Sequence, residues 1–205
     1  MVVLAAGESR RLGEPKQLLR YHGETLLRRA ARTAVEAAVG PVVVVIAAGP
    51  GAPAMRGELA GLGVRVAENR QAVKGLSTSV RAGLEALGRA GVPAARAPAA
   101  ASATDRPLEA TLFLTCDQPL VTAAVLRELV AAWRAGRPSA VASEYGGAVG
   151  VPALFARSLF EELRALGGEA GAKRVLQRHA GEVVKVPFPG GELDVDSPED
   201  LQRLR

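Results

Sequence analysis

Two nearly uninterrupted apolar runs, PVVVVIAA at residues 41–48 and ATLFLT at residues 110–115, restrict the possible folds more than any other feature of this chain. A strand that is apolar at every position, rather than at alternate ones, has to be covered on both faces, as in a parallel sheet with helices above and below it. The rest of the chain keeps the alternation. Strand patterns recur at residues 2–6, 64–67, 140–143 and 183–186. Helical patterns separate them at residues 25–39, 78–87, 123–133, 158–166 and 170–179. The expectation is an α/β fold of three layers around a mostly parallel sheet. With 205 residues and 48% hydrophobic composition the chain fills one core, so residues 1–205 read as a single domain. Residues 90–106, AGVPAARAPAAASATDR, lack bulky apolar anchors and read as a flexible loop or insertion within that domain.

Composition then narrows the function classes. No apolar run is long enough to span a bilayer, and the first apolar stretch is too short for a secretory signal, so no membrane partner and a cytoplasmic location are expected. Cys116 is the single cysteine, which excludes an internal disulfide framework and a multi-cysteine zinc site; it reads as a small buried residue. A net charge of +5 invites a nucleic-acid reading, but aromatics are only 3% and no basic block is present, so nucleic acid is not expected as a partner.

Directly after the first strand comes LAAGESRRLGEPK, residues 4–16. It is not a P-loop, because Gly13 is followed by Glu14 rather than Lys-Ser/Thr, and the dinucleotide G-x-G-x-x-G pattern is absent as well. Small residues at Ala5, Ala6 and Gly7 let the backbone approach a ligand at the carboxyl end of a strand, and Arg11 and Lys16 add two cations for an anion such as phosphate. The competing reading is an ordinary strand-to-helix loop with solvated basic side chains.

Asp117 follows the run ATLFLTC and should arrive at the same sheet edge; alternatively it only starts the turn before Pro119. Asp194 and Asp196 alternate, as on a strand whose one face they share, or form a polar strand end. Ser197 is then the expected cap of a last helix, with Pro198 at its first position and Asp200 reaching back as in a capping box. Magnesium takes one or two protein carboxylates and completes its octahedron with phosphate and water, and Asp117 with Asp196 match that number. Asp194 is a third candidate. Gly75, Ser77, Thr78 and Ser79 read either as a helix cap or as a hydroxylated helix N-terminus facing a nucleotide. His22 in a turn, His179 at a helix end and Trp133 on a helix read as structural.

Taken together, LAAGESRRLGEPK, NRQAVKGLSTSVRAGL, TCDQPLV, GVPALF, GEAGAKRVLQRH and LDVDSPEDL resemble, in order and spacing, the nucleotidyltransferases of the molybdenum-cofactor type, and the cytidylyltransferases among them in particular. The resemblance spans nearly the whole chain outside the Ala/Pro segment. It implies a Rossmann-like fold of the nucleotide-diphospho-sugar transferase type and transfer of CMP from CTP to molybdopterin, with Mg2+ as cofactor and pyrophosphate as product. It implies further that Leu4, Ala5, Ala6 and Gly7 lie beside base and ribose by backbone contact, within a nucleotide-binding loop that includes Ser9 and Gly13. Arg11 and Lys16 hold the phosphates, while Asn69, Gly75 and Ser79 complete the nucleotide site. Asp117 and Asp196 hold the metal, and Arg11, Lys16 and Asp117 are the catalytic set. A molybdenum hydroxylase is the client such a product would serve. Guanylyl transfer, or transfer to a sugar or alcohol phosphate, uses the same chemistry, and a noncatalytic cofactor carrier is the alternative from another class. Val151 stands where many relatives carry the histidine of Gly-His-Pro, a departure that bears on the acceptor.

Overall fold

The computed structural model describes residues 1–7, 15–88, 107–197 and 199–200. The Ala/Pro segment at residues 90–106 lies outside the described residues. Strands β1 (Val2–Ala5), β4 (Val43–Ala47), β5 (Arg65–Asn69), β6 (Ala110–Thr115), β7 (Ala140–Tyr145), β8 (Ala148–Ala156) and β9 (Val183–Pro187) form one seven-stranded sheet in the order β5-β4-β1-β6-β8-β7-β9. A small antiparallel pair, β2 (Arg20–Tyr21) and β3 (Glu24–Thr25), stands apart from it. The helices are α1 (Leu26–Glu36), α2 (Ala52–Leu59), α3 (Leu76–Gly88), α4 (Ala123–Gly136), α5 (Phe160–Arg164) and α6 (Ala172–Arg178).

The ladders β1·β4, β1·β6, β4·β5 and β7·β9 are parallel, while β8 runs against both of its neighbours. The expected mostly parallel sheet is therefore present, and β8 is what the sequence reading missed. Its run AVGVPALFA carries a glycine and a proline in mid-strand, which normally mark a loop. The β7·β8 register shifts between Ala142 and Ser143, and this bulge accommodates the proline. Helix α2 was missed because APAMRGEL offers little apolar periodicity.

Each face of the sheet buries its own core. Val3 and Ala5 of β1 join Ala31 and Ala34 of α1, Met55 of α2 and Leu126, Leu129 and Trp133 of α4. Val2 and Leu4 point the other way, to Val80 and Leu84 of α3, Leu163 of α5 and Leu176 of α6. This strand alternation, buried on both sides, is the reason continuous apolar runs were needed. Thr25 caps α1 by accepting from the Arg28 backbone N–H at 3.2 Å, and Thr122 caps α4 in the same way. Helix α3 lies so close to β1 that a Cβ at Gly83 would sit 2.5 Å from Val2 Cγ1. Gly83→Ala is thus expected to destabilise the fold by ~1–3 kcal/mol, the usual cost of overpacking a close contact. A lowered urea midpoint with unchanged slope checks this; an unshifted midpoint shows that the helix moves away freely.

Cys116 and Trp133 are buried as expected, and the Arg137 guanidinium stacks 4.2 Å from the Trp133 ring centre. His22 occupies the β2–β3 turn with φ 50°, and His179 ends α6, paired with Glu162 at 2.7 Å. Among the described residues no helix is long and apolar enough to cross a membrane.

Candidate active site

Strand order reverses beside β1: the chain moves outward from β1 to β4 and β5, then returns to place β6 on the other flank. In such sheets the carboxyl ends of the strands next to the reversal form a crevice. Two groups of residues line it.

The first is a pocket of about 360 Å³ lined by Ala6, Gly7, Ala72, Val73, Gly75, Leu76, Ser79 and Glu169. Ala6 and Gly7 follow β1, and Gln17 donates its amide to the Gly7 carbonyl at 2.7 Å, fixing the backbone there. The opposite wall is the start of α3. Gly75 has φ 105°, and any Cβ on it would strike the backbone of Gly168 and Glu169, so glycine is required for this close approach. Ser77 N–H donates to the Gly168 carbonyl at 3.2 Å, which seats the segment carrying Glu169 against α3. Val73, 65% exposed, stands at the rim.

The second group is acidic. Asp117, just past β6, and Asp196, 79 residues further along, both accept from one ammonium: Lys16 Nζ lies 2.7 Å from Asp117 Oδ2 and 2.7 Å from Asp196 Oδ1. Burial works against the charge on Lys16, but the neighbouring Asp117 and Asp196 carboxylates outweigh it and hold the pKa above the ordinary lysine value. Partial desolvation and then the charges of Asp117 and Asp196 push the Asp194 carboxyl up to about 6, although the residue is exposed at the surface. Two carboxylate oxygens from distant segments thus converge on one point that already holds a cation. Among the described residues no three His, Cys, Asp or Glu side chains are grouped so as to hold a metal by themselves.

The structure sorts the expected site residues. Ala6, Gly7, Gly75 and Ser79 line the pocket; Lys16, Asp117 and Asp196 are not part of that lining but meet one another past the carboxyl end of β6, the strand paired with β1. Leu4 and Ala5 are not in the pocket lining, and their side chains are buried, one facing each core. Asn69 sits behind the pocket, its amide spent on Thr78 Oγ1 at 2.7 Å and Ser79 Oγ at 3.0 Å, so it supports Ser79. Ser9, Arg11 and Gly13 lie outside the described residues. Asp194 and Asp196 are not on a strand. Their segment is irregular, held to the sheet through the Val195 N–H bond to the Asp117 carbonyl at 2.8 Å rather than through a ladder. The capping box is present in hydrogen-bonding terms, since Ser197 N–H donates to Asp200 Oδ2 at 2.9 Å and Asp200 N–H to Ser197 Oγ at 3.4 Å. Glu169 belongs to EAGAK, residues 169–173, which by the family resemblance reads as an acceptor-side segment or as a helix start; tertiary packing brings it onto α3, where it lines the pocket.

A mostly parallel sheet with this crevice is shared by nucleotidyltransferases and many other α/β proteins. Residues 1–183 match the MobA-like NTP transferase domain, and the chain belongs to that family of nucleotidyltransferases. The purine catabolism protein PucB of Bacillus subtilis (strain 168) is 29% identical over 220 residues, covering 100% of this chain and 94% of PucB. A probable molybdenum cofactor guanylyltransferase of Opitutus terrae is 34% identical over 139 residues, covering 68% of this chain and 57% of the relative. The crystal structure of Rv0371C from Mycobacterium tuberculosis H37Rv in complex with manganese superposes with a TM-score of 0.68 at 30% identity, covering 99% of this chain and 95% of that one.

Proposed function

We propose that this nucleotidyltransferase moves a cytidylyl group from CTP to a molybdopterin-type acceptor and releases pyrophosphate, with magnesium as its cofactor. The observation that carries the reading is the convergence of Asp117, Asp196 and Lys16 past the end of β6, on the same sheet edge as the glycine-walled pocket that follows β1. The donor set fits magnesium, because two hard carboxylate oxygens already meet around a cationic centre and leave the remaining positions to phosphate and water. The manganese complex of Rv0371C supports a divalent ion in a related chain. Bound by Asp117 and Asp196, the ion supplies neutralising charge to the triphosphate.

The chain's own residues do the rest by placement. Ala6, Gly7, Gly75 and Ser79 bind the nucleoside, and Lys16 faces the phosphates. A phosphate oxygen of the acceptor attacks the α-phosphorus, the bond to the β-phosphate oxygen breaks, and pyrophosphate leaves with that electron pair. No protein nucleophile is needed, so positioning and charge account for the rate. On this reading Lys16 exchanges partners: its ammonium balances Asp117 and Asp196, and would turn to the triphosphate if a metal took up the two carboxylates.

The small residues at Ala5 and Ala6 and the block Cys116-Asp117-Gln118-Pro119 favour cytidylyl transfer through the family resemblance. Guanylyl transfer is the second reading, favoured by the relative from Opitutus terrae. Pyrophosphate release with magnesium and molybdenum cofactor, compared across CTP, GTP, ATP and UTP, separates them. CTP is expected to support the fastest turnover. Preference for GTP would replace the cytidylyl reading with the guanylyl one, and no turnover with any nucleotide would overturn molybdopterin as the acceptor.

A further inference from the structure

Gln118 follows Asp117 directly and is only 5% exposed, yet its side chain carries two donors and an acceptor. Both amide hydrogens are used, and on different parts of the fold. Nε2 donates to the Val151 carbonyl at 3.1 Å and to the Gly191 carbonyl at 2.9 Å. The Val151 carbonyl is available because of the bulge: Ala142 pairs with Ala153 and Ser143 with Gly150, so Val151 and Pro152 drop out of the β7·β8 ladder. Ser143 Oγ takes the Pro152 carbonyl at 2.7 Å, and Tyr145 O–H shares the Val151 carbonyl at 3.0 Å. Gly191 lies so close to the Tyr145 and Phe188 rings that a Cβ there would collide with both.

The segment from Gly190 to Asp196 has no ladder to fix it, and it carries Asp194 and Asp196. Two of the contacts that hold it are rooted at the exit of β6: the Gln118 amide at Gly191, and the Asp117 carbonyl, which accepts from Val195 N–H at 2.8 Å; Asp196 is held further by Lys16 Nζ at 2.7 Å and by its own N–H, which donates to Asp200 Oδ2 at 3.1 Å. Val195 itself is fully buried against Tyr21 and Leu26, which turns the flanking aspartates outward. We propose that Gln118 is a positioning residue: it sets the distance between Asp196 and Asp117 and thereby the affinity of the site for a divalent cation. This rests on the metal reading above. Polar groups behind metal ligands typically change metal affinity by roughly 10–100-fold when removed. A buried glutamine whose loss takes the side-chain donor from the Gly191 carbonyl, while the Val151 carbonyl keeps Tyr145 O–H, belongs among them.

The test is Mn2+ binding followed by electron paramagnetic resonance, which needs no turnover. Gln118→Leu is expected to weaken Mn2+ binding by at least about tenfold and to lower the melting temperature, because a buried carbonyl loses its donor, while CTP affinity in EDTA stays close to that of the unmodified chain. Gln118→Asn keeps the amide but is one methylene too short to reach both carbonyls; it should show the same loss, and it decides the question if the leucine variant does not fold. Thr115→Val removes only the weak 3.4 Å contact to Gln118 Oε1 and is expected to bind Mn2+ normally. Unchanged Mn2+ affinity in a folded Gln118 variant overturns the inference. If Asp117→Ala binds Mn2+ as well as the unmodified chain does, the metal reading itself fails, and that result is distinguishable from the first.

Discussion

Asp117→Ala is expected to lower nucleotidyl transfer by at least ~10²-fold, the scale seen when a preorganised electrostatic contact at a reacting centre is removed. The side chain is 19% exposed and 2.7 Å from the Lys16 ammonium, so it is neither a solvated surface charge nor an isolated buried one. Its loss removes one of the two carboxylates proposed to bind the metal and leaves Lys16 with Asp196. Some loss of stability accompanies the change, because Lys16 is itself only 15% exposed and keeps its charge. The measurement is therefore pyrophosphate release at a temperature where circular dichroism shows the variant folded, with Asp117→Asn as a shape-conserving companion. Turnover at the unmodified level in either folded variant removes Asp117 from the site.

Lys16→Met should give a result of two signs. Triphosphate affinity is expected to fall by roughly 10–100-fold, corresponding to one charge-assisted hydrogen bond of ~1.5–3 kcal/mol. Mn2+ affinity without nucleotide is expected to rise, because the ammonium and the metal compete for Asp117 Oδ2 and Asp196 Oδ1. Methionine keeps the length and apolar stem of the side chain, so packing around the stem is retained. Titration of Mn2+ and of CTP in separate experiments reads both signs. Metal affinity that falls together with nucleotide affinity would show that Lys16 shapes the carboxylate pair, and the partner exchange would be wrong.

Much of the crevice could be read from residue order. Continuous apolar runs at β4 and β6 implied a two-sided sheet, and chain ends of parallel strands share an edge, so Gly7 and Asp117 were placed together before any coordinates. The Asp194 and Asp196 segment was read as a strand because its alternation is the same as that of a half-buried edge. The structure spends that alternation differently, burying Val195 in a small cluster and suspending the aspartates from the exit of β6. Leu4, Ala5 and Asn69 were placed in the nucleotide site with their motif neighbours, yet a motif does not distinguish a residue that touches the pocket from one that stands behind it. Gln118 lay inside a quoted block, but its role depends on a bulge in β8, a strand whose Gly and Pro hid it.

The sequence by itself determined the α/β class, the three layers, the principal helices and strands, and the family chemistry, because apolar period and short ordered motifs are local quantities. Only the tertiary structure decided that Lys16 bridges Asp117 and Asp196, that Glu169 closes on Gly75, and that Gln118 ties β6 to β8 and to the aspartate segment. Those contacts join residues far apart in the chain, and no local pattern records a distance that arises only when layers pack.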